Sequence, residues 1–83
     1  MIKNPNSKDI QKFFLQALEH HQNGRLEKAE KLYYKILADQ PYHPDANHNL
    51  GVLNVALGNL LLAIKFFKKA VGVNPSYEQF WHS

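Results

Sequence analysis

The sequence contains no cysteine and no long apolar run. Without cysteine the chain has no disulfide framework, no thiolate nucleophile and no cysteine-rich zinc site. Its first residues are polar and lack the apolar core of a secretory signal, and no stretch of about 18 apolar residues is available to cross a membrane. We therefore expect a soluble, cytoplasmic protein.

Motifs for catalysis and cofactor binding are also absent. The sequence has no Ser/His/Asp or Cys/His arrangement with a supporting motif and no glycine-rich phosphate loop. A chain this short buries only about 60% of its unfolded surface, which leaves little room for a deep catalytic cavity. The sequence therefore predicts a protein that is not an enzyme and uses no cofactor.

The charge balance is weakly basic. Ten Lys and Arg residues against seven Asp and Glu give a formal net charge of +3 at pH 7. Lys65, Lys68 and Lys69 lie close together, but a solvated helix face needs the same residues, so the pattern does not favour nucleic-acid binding. The five histidines include no pair at i, i+4 spacing, so no metal site is predicted.

The strongest signal is an internal repeat with a period of 34 residues. Shifting the sequence by this period superposes residues of similar chemistry: Gly24 on Gly58, Leu26 on Leu60, Ala29 on Ala63, Lys31 on Lys65, Tyr33 on Phe67, Lys35 on Lys69, Leu37 on Val71 and Pro41 on Pro75. The same shift takes Phe13 to Asn47 and then to Trp81, which indicates that a third unit begins near the end of the sequence.

Glycine and proline divide each unit into two helices. Gly24 and Gly58 each separate two apolar-periodic segments, where a turn between antiparallel helices favours a residue without Cβ. Pro41 and Pro75 close the second helix of each unit, because proline cannot continue the hydrogen-bond ladder. The sequence predicts helices near 7–22, 25–39, 44–57 and 60–73, and a further helix from about 77.

The repeat resembles the tetratricopeptide repeat over roughly residues 10–83. The second unit contains Leu50-Gly51, Gly58, Ala63, Phe67, Ala70 and Pro75, and the first retains Gly24, Ala29, Tyr33 and Pro41. The resemblance implies an all-α fold of antiparallel helix-turn-helix hairpins stacked as a right-handed α-solenoid. It also implies an N-terminal linker or cap, two full units and a truncated third unit, at residues 1–9, 10–43, 44–77 and 78–83.

Five positions depart from the family's pattern. The first unit has Gln16-Ala17 where the family prefers leucine and glycine, and Asn47 replaces its tryptophan. His20 and Asn54 replace the tyrosine of the first helix in each unit. We expect these departures to affect fine packing without changing the fold.

The resemblance implies a concave groove, lined by the first helices of successive units, that holds an extended or helical segment of a partner. The implied lining is Gln11, Phe14, Leu18 and His21 in the first unit, His48, Asn49, Val52 and Ala56 in the second, and Gln79 and His82 in the third. This lining is largely apolar or neutral. Family members that bind a terminal carboxylate use a set of groove residues that includes lysines and an arginine. Of that set this sequence has only Asn49 and none of the basic residues, so carboxylate binding is not expected.

These features predict a protein–protein interaction module. In the predicted groove Phe14, Leu18, Val52 and Ala56 give apolar contact, and His48 and Asn49 give polar orientation. The segment 45–51 is also similar to repeats found ahead of O-linked glycosyltransferases, in which asparagines at the place of Asn49 bind a peptide backbone. Two interpretations therefore stay open beside the first: the recognition arm of a larger bacterial glycosyl-, sulfo- or methyltransferase, and a solvated helix asparagine at position 49.

The predicted fourth helix is apolar nearly all round. One hairpin can bury a single side of it, which would hold Leu60, Ala63, Ile64 and Phe67. Leu61 and Leu62 then face outward, at places where the first unit has Glu27 and Lys28. We therefore predict an interface formed by Leu61, Leu62 and Phe66, for self-association into a homo-oligomer or for docking of another domain. The alternative is that a third repeat covers these leucines.

Overall fold

The computed structural model describes residues 7–72. These residues form four α-helices and no strand: α1 (Ser7–Gln22), α2 (Leu26–Asp39), α3 (Pro44–Ala56) and α4 (Leu60–Gly72). Each helix agrees with its predicted bounds to within one residue at either end. The predictions for Pro75, Gln79, Trp81 and His82 lie outside the described residues.

The helices pair in the order of the chain. α1 packs against α2, and α3 packs against α4. The chain divides between Pro41 and Tyr42 into two compact units, so each unit contains one hairpin. This confirms the predicted all-α class built from helix-turn-helix hairpins.

The turn between α1 and α2 ends the first helix at a left-handed glycine. Gly24 has a φ of +78°, which residues with a Cβ rarely adopt. The Gly24 amide donates to the His21 carbonyl at 3.1 Å, and the Arg25 amide donates to the His20 carbonyl at 2.8 Å. These two bonds form a Schellman motif, which satisfies carbonyls that the helix end would otherwise leave without a donor.

The turn between α3 and α4 repeats this arrangement. Gly58 has a φ of +82°. Its amide donates to the Val55 carbonyl at 3.0 Å, and the Asn59 amide donates to the Asn54 carbonyl at 2.8 Å. The glycine pair predicted from the repeat therefore has the same conformational role in both hairpins.

Small residues allow the two helices of a hairpin to approach closely. Gly51 on α3 lies under the ring of Phe67 on α4, and a Cβ built at position 51 would come within 2.6 Å of the Phe67 Cδ1 atom. Ala29 and Ala63, which align with each other in the repeat, are both buried. Ala17, the first-unit counterpart of Gly51, is also buried, so this departure from the family's pattern is accommodated in the core.

Two asparagines in α3 occupy buried positions at which the family has aromatic residues. Asn47 and Asn54 are both 0% exposed. The Nδ2 of Asn47 donates to the His43 carbonyl at 2.9 Å, and the Nδ2 of Asn54 donates to the Leu50 carbonyl at 2.8 Å. Because each amide bonds to the backbone four residues earlier, α3 carries its buried polar groups without interrupting the helix.

Burial along α4 differs from the sequence prediction. Leu60 and Ile64, predicted to be buried, are 59% and 50% exposed. Phe66, predicted to form an interface, is only 6% exposed and belongs to the core with Ala63. The packed side of α4 is therefore rotated toward Phe66, because burying an aromatic ring removes more apolar area from water than burying a leucine or isoleucine. Leu61 and Leu62 face outward as predicted.

The positive φ at Gly58 predicts the effect of a methyl group there. Gly58→Ala is expected to lower the free energy of unfolding by about 1–2 kcal/mol, because Cβ clashes with the backbone in the left-handed region. Gly72→Ala is the control, since an added Cβ there meets nothing within 4 Å and alanine favours the helix by up to about 1 kcal/mol. Urea denaturation followed by circular dichroism measures both, and equal stability of Gly58→Ala and wild type would contradict the assignment.

Candidate protein-binding surface

The exposed side of α3 brings together the four residues predicted for the second unit. His48, Val52 and Ala56 are exposed at four-residue spacing, and Asn49 is half-buried beside them. The exposed fraction of Val52 is 41%. Asp45, in the first turn, is the one acidic or basic residue other than histidine in α3. We call His48, Asn49, Val52 and Ala56 the α3 surface; it is partly apolar and contains no Asp, Glu, Lys or Arg.

Three of the four residues predicted for the first unit form a half-buried row on α1, and the fourth, Gln11, is exposed. Phe14, Leu18 and His21 are spaced by four and three residues, which places them on one side of the helix. The Phe14 and His21 rings lie 6.2 Å and 6.1 Å from the ring of Tyr33 on α2. The His21 Nδ1 atom is 3.4 Å from the Tyr33 hydroxyl. Buried Tyr33 therefore supports both ends of this row.

The same pairing of rings supports the α3 surface in the second hairpin. Phe14 and Tyr33 lie with their planes at 57°. One repeat later, His48 and Phe67 have centroids 5.5 Å apart and planes at 56°. The alignment of Tyr33 with Phe67 was a signal for this contact, but the sequence analysis assigned no support to His48. The ring of Phe67 thus holds the imidazole at the edge of the hairpin.

α3 begins at a histidine cap that the sequence analysis did not identify. The Nδ1 of His43 accepts a hydrogen bond from the Ala46 amide at 3.0 Å. Pro44 occupies the first turn of the helix, where its lack of an N–H has no cost. A polar side chain directly before this proline was the available signal. The cap fixes the turn of α3 that precedes His48 and Asn49.

The ionisable groups of the described chain do not gather into a chemical site. The His20 Nδ1 accepts from the Arg25 Nε at 2.8 Å, so this imidazole is engaged at the turn. Burial, and to a lesser degree the Glu30 carboxylate, raises the pKa of the Tyr34 hydroxyl from its ordinary value. Within residues 7–72 no group of three or more His, Asp or Glu residues could hold a metal ion.

The length and hydrophobicity of the four described helices can be compared with those of a membrane-spanning helix. None of them has both the length and the apolar character that crossing a bilayer requires. The longest, α1, has 16 residues and is interrupted by charged side chains.

Comparison with known protein families gives one match. Residues 20–82 match a model described as the tetratricopeptide repeat. The matched range contains α2, α3, α4 and all three connections between the helices, and it spans more than half of the chain. No solved structure is significantly similar to the chain.

The cap at His43 predicts how substitutions change the stability of α3. His43→Ala is expected to lower the free energy of unfolding by about 1 kcal/mol, because the Ala46 amide loses its acceptor. His43→Asn supplies a side-chain oxygen that can accept the same bond, so we expect it to retain most of the stability. Urea denaturation of the two variants at neutral pH compares them directly. If both were equally destabilised, the loss would not be due to the cap.

Proposed function

Because the chain belongs to the tetratricopeptide repeat family, we propose that it captures a peptide segment of a partner protein on the α3 surface. Repeats of this family generally mediate protein–protein interaction, and the family is typically non-catalytic. The observation that carries the proposal is the chemistry of α3: an exposed, neutral row in which apolar side chains adjoin an amide and an imidazole.

The two polar groups of the α3 surface suit binding to a peptide backbone. The Asn49 amide can accept from a peptide N–H and donate to a peptide carbonyl, so it can bind the backbone whatever the ligand's side chains are. The His48 imidazole lies beside it and rests on the Phe67 ring. A half-buried amide next to a supported ring loses less conformational freedom on binding than a mobile side chain would.

The apolar groups of the α3 surface supply contact area. Val52 and Ala56 follow His48 at successive turns, so an apolar ligand side chain can cover both. No lysine or arginine lies on α3, which argues against recognition of a terminal carboxylate or an acidic peptide at this surface. The ligand that fits best is a neutral, partly apolar segment.

The row on α1 offers a second surface of related chemistry within the first hairpin. Phe14 and Leu18 are apolar, half-buried and supported by α2 through the Phe14–Tyr33 contact. His21 adds one polar group at the end of this row. We propose that this row also contacts partner proteins, mainly through apolar area.

Selection from a random-peptide library, followed by isothermal titration calorimetry, tests the proposal. Asn49→Ala and Val52→Asp are each expected to weaken a selected peptide by at least about tenfold, which is about 1.4 kcal/mol. Lys31→Ala, at an exposed position of α2, is the control and should leave the affinity unchanged. Circular dichroism confirms that each variant is folded.

Two results would contradict this function. One is a selected peptide whose affinity is unaffected by both α3 substitutions. The other is failure to select any peptide that binds the folded chain with saturation. In either case the α3 surface would be an ordinary solvated helix face.

A further inference from the structure

The outward side of α4 exposes several large apolar side chains, whereas a solvated helix face is usually polar. Leu61 is 86% exposed, Leu60 is 59% exposed and Ile64 is 50% exposed. Leu57, in the turn before α4, is also exposed. Leu60, Leu61 and Ile64 lie within about one turn of one another, so they form an apolar stripe on the outward side of α4.

Lysines adjoin this apolar stripe, and α4 contains no acidic residue. Lys65 lies one turn after Leu61, and Lys68 lies one turn after Ile64; both are exposed. From residue 46 to residue 72 the sequence has no Asp or Glu. The corresponding helix of the first hairpin, α2, instead mixes Glu and Lys along its length. The α4 face, formed by Leu60, Leu61, Ile64, Lys65 and Lys68, is therefore apolar and purely cationic.

We propose that the α4 face docks an acidic amphipathic helix of a partner protein. The partner's apolar side chains would cover the leucines and Ile64, and its Glu or Asp side chains would pair with Lys65 and Lys68. An amphipathic helix matches a stripe of three- and four-residue period, because its own apolar residues have the same spacing. The opposite charge would steer and orient the encounter. This surface is separate from the α3 surface, and the inference does not depend on the function proposed there.

Charge argues against two other occupants of the α4 face. If two copies of the chain met through this face, each would bring lysines toward the lysines of the other, which disfavours the contact. A bilayer would receive ammonium groups on both sides of Leu61, because Lys65 and Lys68 lie next to this leucine at the outermost part of the helix. Interfacial helices instead bury an unbroken apolar face.

Fluorescence anisotropy with two synthetic helical peptides tests the proposal on the full chain. Both peptides carry leucines at i, i+3, i+4 and i+7, and their flanking residues are Glu in one and Lys in the other. We expect saturable binding of the Glu peptide and at least about tenfold weaker binding of the Lys peptide. Raising the salt concentration should weaken the Glu complex.

Substitutions locate the binding. The double substitution Lys65→Glu with Lys68→Glu is expected to weaken binding of the Glu peptide by at least about tenfold and to strengthen binding of the Lys peptide. The matched control is Lys28→Glu with Lys31→Glu on α2, which changes the net charge equally and should alter either affinity much less. Asn49→Ala, on the α3 surface, should leave the affinity for both peptides unchanged. The two proposals can therefore fail independently of each other.

Four outcomes would overturn the proposal. These are absence of saturable binding by the Glu peptide, equal affinity for the two peptides, equal effects of the α4 and α2 charge reversals, and binding of anionic phosphatidylserine vesicles in place of the Glu peptide. Sedimentation equilibrium adds a fifth: an oligomer that Leu61→Glu dissociates would assign the α4 face to a second copy of this chain.

Discussion

The close approach of α3 and α4 at Gly51 is the constraint on which the second hairpin depends. The absence of a side chain at this position leaves room for the Phe67 ring, and the same ring lies 5.5 Å from the imidazole of His48. One aromatic side chain therefore both closes the hairpin and supports the edge of the α3 surface. The Schellman turn at Gly58 makes this possible, because it reverses the chain within three residues of the end of α3.

The two outward surfaces of this hairpin differ in chemistry. The α3 surface is neutral, with an amide and an imidazole beside small apolar groups. The α4 face is apolar and cationic, with lysines one turn beyond exposed leucines. The buried sides of α3 and α4 pack against each other. Substitutions on either outward surface therefore leave these core contacts in place. The second hairpin therefore has two outward surfaces of different chemistry.

The repeat made the fold predictable, because glycine at a left-handed turn and proline beyond a helix have local causes that a sequence displays. The grouping of His48, Asn49, Val52 and Ala56 came from the resemblance to the family, and helical spacing is consistent with it, since these residues lie at successive turns of α3. Burial along α4 was predicted only in part, since apolar residues flank the packed side closely and the exposed lysines indicate that side only coarsely. Phe66 was misassigned for this reason. The His43 cap was missed because its signal is one side chain of a type that rarely caps helices.

A double-mutant cycle between positions 51 and 67 tests the central packing claim most directly. The account predicts that Gly51→Ala lowers the free energy of unfolding by about 1–3 kcal/mol in the wild-type background, through overlap with the Phe67 ring. In a Phe67→Leu background the same change should cost markedly less, because the ring is absent and alanine favours the helix. An identical effect of Gly51→Ala in both backgrounds, or stabilisation of the wild type, would contradict the account.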